Sequence, residues 1–183
     1  MRKKVLNIPI WEESILFACD RLSRKDQESK QAVASAIIET LGIDPLLSAE
    51  MIYRSSNDVW KLVRNEITAF TDKWHTVGHV DRAVKFMINT GRAEFSQYIW
   101  PLISDLDDQI HLHALRAGDK FRTSVLGPNA QEQITDLPEK VRAHVIAEIA
   151  SNKRRRRLEW MVFIRKTSVI SPIIRRQRKA ARS

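Results

Sequence analysis

Apolar residues recur along this chain at spacings of three and four rather than two, from Ile10 to about Ile149. That is the periodicity of helices buried along a stripe. Trp11, Ile15, Ala18 and Leu22 define the first face and predict a helix from Ile10 to Arg21. A second helix starts at Asp26, which can cap it, and runs to Leu41 with Val33, Ile37 and Leu41 inward and Gly42 as its stop. A short third follows Asp44 and Pro45, a capping residue and then the one helical position that tolerates proline. Beyond the polar corner "RSSNDVW", Val59, Val63, Ile67, Phe70 and Trp74 make the longest regular stripe, closed by Gly78. "HVDRAVKFMINTG" carries Val80, Val84, Met87 and Ile88 on one side and stops at Gly91.

The stretch "YIWPLISDLDDQIHLHALRAG", Tyr98 to Gly118, reads as two helices around an acidic corner. Phe95, Ile99, Leu102 and Ile103 form the face of the first. In the second, Ile110, Ala114, Ala117 and Phe121 share one side at ~100° per residue, with Leu112 and Leu115 nearly opposite. A helix apolar on two sides packs on two sides, as in a stacked helical array. The chain then turns through Gly127 and Pro128 into a short helix. Asp136 and Glu139 predict a capping box before a last helix built on Val141, Val145, Ile146 and Ile149. Val145 and Ile149 would need cover from the tail or a partner at the end of such an array. Setting "MIYRSSNDVWKLV" beneath "LISDLDDQIHLHA" places Ile52 on Ile103, Val59 on Ile110 and Val63 on Ala114, a weak internal repeat.

"IWPLISDLDDQIHLHALRAG" resembles a HEAT repeat, with Pro101 in the first helix, Asp105 at its end, Ile110 opening the second, and Ala114 and Leu115 following. HEAT units usually carry an arginine or lysine directly after that branched residue, tying neighbouring corners together; here the position is His111. The resemblance therefore implies the hairpin and leaves the corner ladder open. It is strong from Phe95 to Gly118 and spans Ile10 to Asn152. "FRTSVLGPNAQEQITDLPEKVRAHVIAEIASN" is also similar to the HEAT-like regions of bacterial NACHT-type signalling NTPases. Their nucleotide-binding residues map onto no position here, because no GxxxxGK[ST] occurs.

Length and charge sharpen this picture. The 183 residues suit about four units at the usual ~40–47 residues per longer two-helix repeat. The expected class is all-α, an α-solenoid of about four HEAT-like hairpins over 1–152 with a basic C-terminal extension over 153–183. The net charge of +9 is unevenly placed. Residues 153–183 hold twelve Lys or Arg against one acid, Glu159, while the remainder holds nineteen basic and twenty-one acidic residues. The tail alone is thus the electropositive element. A single cysteine, Cys19, excludes an internal disulfide and fits a reducing compartment. "MRKKVLNIPIWEES" lacks the apolar core of a secretory signal, and no run approaches the ~20 apolar residues of a spanning helix, so the expected location is cytoplasmic.

Candidate chemistry is sparse. Asp105, Asp107 and Asp108 with His111 and His113 invite an acid–base or metal reading, but a turn open to water is a poor place to drive two carboxyl pKa values apart, and Asp107 serves as an N-cap. His111 and His113 point ~200° apart on one helix, so the two do not share a metal. His75 and His79 have Gly78 between them and no following glutamate. Trp11 and Trp74 belong to apolar stripes and predict core packing, whereas Trp60 falls off its stripe and is a candidate exposed anchor. The expected function is a non-catalytic scaffold, no enzyme, with no cofactor, no metal and no small-molecule substrate, whose partner is another protein met through Trp60 and His111. The alternative is nucleic-acid binding, through a groove like that of the HEAT-like DNA glycosylases or through the tail. Lys153, Arg154, Arg155, Arg156, Arg157, Arg175 and Arg176 would then neutralise phosphates, or lie on an anionic surface beside Trp160 and Phe163.

Overall fold

In a computed structural model the described residues are 9–76, 80–117 and 121–151, and among them every regular element is helical. The helices are α1 (Pro9–Leu22), α2 (Gln27–Leu41), α3 (Pro45–Arg54), α4 (Asn57–Thr76), α5 (Val80–Thr90), α6 (Ser96–Ile103), α7 (Asp108–Arg116), α8 (Ala130–Asp136) and α9 (Glu139–Ser151). Two 3₁₀ turns, Ala93–Phe95 and Thr123–Leu126, precede α6 and α8.

Local chemistry sets several boundaries. Asp26 accepts from the Ser29 amide at 2.8 Å, and Asp44 from the Leu46 and Leu47 amides at 3.1 Å, with Pro45 in the first helical position. Each satisfies donors that the first turn of a helix leaves open. Gly91 ends α5 at φ 60°, and a β-carbon there would stand 2.8 Å from Ser124 Oγ and 2.9 Å from Tyr53 Cδ2. Glycine is required at that position by both backbone and space. The capping box does not form. Asp136 is the last residue of α8, and α9 begins three residues later at Glu139, so Glu139 opens the helix instead of reaching back from its third position.

Packing links helices close in sequence. α1 meets α3, α2 meets α4, α3 meets α5, α5 meets α7 and α7 meets α9, and most consecutive helices also touch. One continuous apolar cluster results, running from Leu16 through Ile37, Ile52, Ile67, Phe86, Ile99 and Leu115 to Val145 and Ile149. Burying a side chain such as Phe86, 0% exposed, contributes about 1.5–3 kcal/mol.

Two predicted faces are rotated by one residue. α1 buries Leu16 and Cys19 and leaves Trp11 51% exposed; α7 buries His111, Ala114 and Leu115 and leaves Ile110 41% exposed. In α1 the larger residues marked the exposed side; α7, read as apolar on two sides, buries Ala114 from one and Leu115 from the other. Val145 and Ile149 need no further cover, since α9 buries both against the cluster that includes α7. Among the described residues no helix is long and apolar enough to cross a membrane.

Candidate functional site

Two kinds of corner hold the hairpins to one another. The reversals after α1, α3, α5 and α7 are joined by hydroxyl and guanidinium donors. Ser56 donates through its amide to Ser23 Oγ at 3.1 Å and through its hydroxyl to Ser23 O at 2.7 Å. Arg92 donates to Ile52 O at 2.7 Å, Ser55 O at 3.1 Å and Asn57 Oδ1 at 2.7 Å, satisfying carbonyls where α3 ends. Desolvation lowers its pKa from the ordinary arginine value. Arg122 repeats the device one hairpin on. It donates to Asn89 O near the end of α5, pairs with Glu50 at 2.5 Å, and lies over the Tyr53 ring at 3.4 Å. A permanently charged, planar donor suits this role, because several carbonyls can share one guanidinium.

The corners after α6 and α8 are joined by imidazole and carboxylate. Asp107 caps α7 by accepting from the Gln109 amide at 2.8 Å, and Asp105 Oδ1 accepts from the Asp107 amide at 2.8 Å. This fold of the corner aims Asp105 O back at His111 Nδ1, 3.1 Å away. A carbonyl only accepts, so His111 Nδ1 carries a proton and a neutral His111 has a bare Nε2. His144 Nδ1 on α9 lies 2.8 Å from that Nε2, with the rings stacked at 5.0 Å between centroids. His144 donates to His111 in this state. One helical turn before His111, Asp108 places Oδ1 3.9 Å from the same Nε2, while Oδ2 pairs with Lys140 at 2.5 Å. The Lys140 hydrogen bond, then its charge and those of His111 and His144, hold the Asp108 carboxyl below the usual range against some desolvation. Although the side chain is 42% exposed, Oδ1 is sealed from solvent and has no hydrogen-bond partner among the described residues.

Neither of the expected partner contacts is available. Trp60 is 4% exposed, because the Ala93–Phe95 turn covers the side of α4 away from its main stripe; its Nε1 donates to Glu94 at 2.5 Å and its ring meets Phe95 edge-on. His111 is 0% exposed, enclosed by the corner and by α9. At this corner a histidine, not an arginine, joins α7 to α9. Lys153, Arg154, Arg155, Arg156, Arg157, Arg175 and Arg176 lie outside the described residues, as do Gly78 and His79. Burial pushes the Cys19 thiol up to about 11, which suits packing rather than reaction.

Sequence reading overlooked His144, Lys140, Arg92 and Arg122. For all but Arg92 the signal that would have found them is separation: Ser56 with Ser23, Arg122 with Asn89 and His111 with His144 stand 33 residues apart, Trp60 and Glu94 34, and Arg116 with Glu148 and Lys140 with Asp108 32. That recurrence is shorter than the spacing expected from longer two-helix repeats. No known protein family matches the chain, and no characterised protein or solved structure does.

Proposed function

We propose that the chain is a non-catalytic scaffold of stacked, HEAT-like hairpins that binds another protein. The observation that carries this reading is the repeated tie at 32–34 residues between hairpins whose odd-numbered helices pack in succession. Such construction leaves helix faces free along its length. An apolar cleft of about 320 Å³ lies where α5, α6 and α7 meet, lined by Val80, Val84, Leu102, Ile110 and Ala114, with the Asp81–His113 pair at its rim. Ile110, misassigned to the core by periodicity, becomes the exposed apolar contact, and a segment with one apolar face is the partner chemistry it suits. Affinity capture with the full chain should recover a partner whose retention falls at least tenfold with Ile110→Glu. Equal capture by the variant, with loss on neutralising the tail arginines, would remove the scaffold reading.

The alternative, nucleic-acid binding, rests on the charge of residues 153–183. Random duplex DNA titrated at several salt concentrations into the full chain and into a chain ending at Asn152 separates tail from groove. Binding that survives truncation favours a groove; binding lost with the tail excludes it.

A further inference from the structure

We propose that Asp108 Oδ1, His111 Nε2 and His144 Nδ1 form a binding site for a divalent transition metal of the zinc type, joining α7 to α9. Among the described residues each of these three offers a ligand atom within 4.8 Å of those of the other two, and His111 Nε2 stands 2.8 Å from His144 Nδ1 and 3.9 Å from Asp108 Oδ1. Four features go beyond mere proximity. His111 Nδ1–H is held by a backbone carbonyl, the arrangement that fixes the tautomer of a metal-ligating histidine and leaves Nε2 with its lone pair. That bare Nε2 faces the other two donor atoms instead of solvent. Asp108 Oδ1 is sealed from water yet has no hydrogen-bond partner among the described residues, and a buried unsatisfied oxygen calls for an occupant such as an ion. The fourth feature is chemical: two imidazoles and one carboxylate are a donor set that zinc accepts, with water completing a tetrahedron.

The adjustment required is small. With metal–ligand bonds of ~2.0–2.2 Å, tetrahedral donors stand ~3.3–3.6 Å apart. The two nitrogens at 2.8 Å must part slightly, and the carboxylate at 3.9 Å must close in. Binding requires His144 to change from its Nδ1–H to its Nε2–H tautomer: the Nδ1 proton passes to solvent and Nε2 takes one from solvent, with no net proton release. Lys140, 66% exposed, can swing away from Oδ2 as the metal charge arrives. A hydrogen-bonded pair of histidines beside an ion pair would account for Lys140 and for the 2.8 Å contact but not for the unpartnered Oδ1. The site is independent of the scaffold proposal, since it concerns how two hairpins are joined rather than what they bind.

The test uses the full chain, stripped with chelator and titrated with zinc alone by calorimetry, and with cobalt alone by visible absorption. One equivalent should bind, with the intense visible bands of four-coordinate cobalt, and zinc should raise the melting temperature. His144→Gln and Asp108→Asn change groups that are not fully enclosed and should each weaken zinc affinity tenfold or more while remaining folded by circular dichroism. His113→Gln should leave affinity unchanged. No saturable binding to the wild-type chain, or equal affinity in the two ligand variants, would overturn the site.

Discussion

The two sets of corners do the same mechanical work with opposite chemistry. Arg92 donates to two carbonyls where α3 ends, Arg122 to one near the end of α5 and to Glu50, and Ser23 and Ser56 join the first two reversals without any charge. After α6 and α8, His111, His144 and Asp108 bring together two imidazoles and a carboxylate, joined by a hydrogen bond between ring nitrogens and a looser contact to the carboxylate. The guanidinium corners thus rely on charged donors, whereas the imidazole corner relies on ring nitrogens that donate on one side and accept on the other.

Mutations can break or sharpen this contrast. Arg92→Met should have the largest effect, a loss of about 3 kcal/mol in urea unfolding, because Ile52 O and Ser55 O lose a charged donor where water has little access. Gly91→Ala should follow at about 2 kcal/mol, since it combines left-handed backbone with contact against the Tyr53 ring, and thermal unfolding would register it. His144→Ala, measured without metal, should cost only about 1 kcal/mol, the value of one neutral hydrogen bond. A metal-free loss as large as that of Arg92→Met would erase the distinction between the guanidinium and imidazole corners.

The smallest effect is a pH dependence. Asp58 is held below the ordinary carboxylate pKa first by its hydrogen bond and charge pairing with Lys30, then by Lys61. A depressed folded pKa means the stabilisation is present above the unfolded carboxyl value, near ~3.9, and fades as pH falls through the folded value. The melting-temperature gap between wild type and Asp58→Asn should accordingly be visible at pH 6 and close on acidification below about pH 4. A gap constant down to pH 2 would show that the pair contributes through packing alone.

Much of the fold was legible from the chain. Asp26, Asp44 and Asp107 announced three helix starts because a capping carboxylate acts on amides two or three residues away. The stripe Val59, Val63 and Ile67 identified the inner face of α4 because one helix must bury it whatever the partner. The acidic corner was also found, and Asp107 was assigned its capping role correctly. What escaped was every choice between two adequate faces and every pairing across hairpins. Trp60 was read as exposed because only its own helix was considered, while the covering turn arrives from more than thirty residues on. His111 was weighed against His113, two residues on along the same helix, and never against His144.

By itself, then, the sequence determined what depends on short range: where helices begin and end, that they are amphipathic, and that positive charge gathers beyond residue 152. Tertiary structure decided which stripe of a two-sided helix is covered, and which distant imidazole meets His111. The reason is that periodicity sets angles within one helix, whereas burial and donor geometry depend on the register between helices, and register is fixed only when all the hairpins pack together.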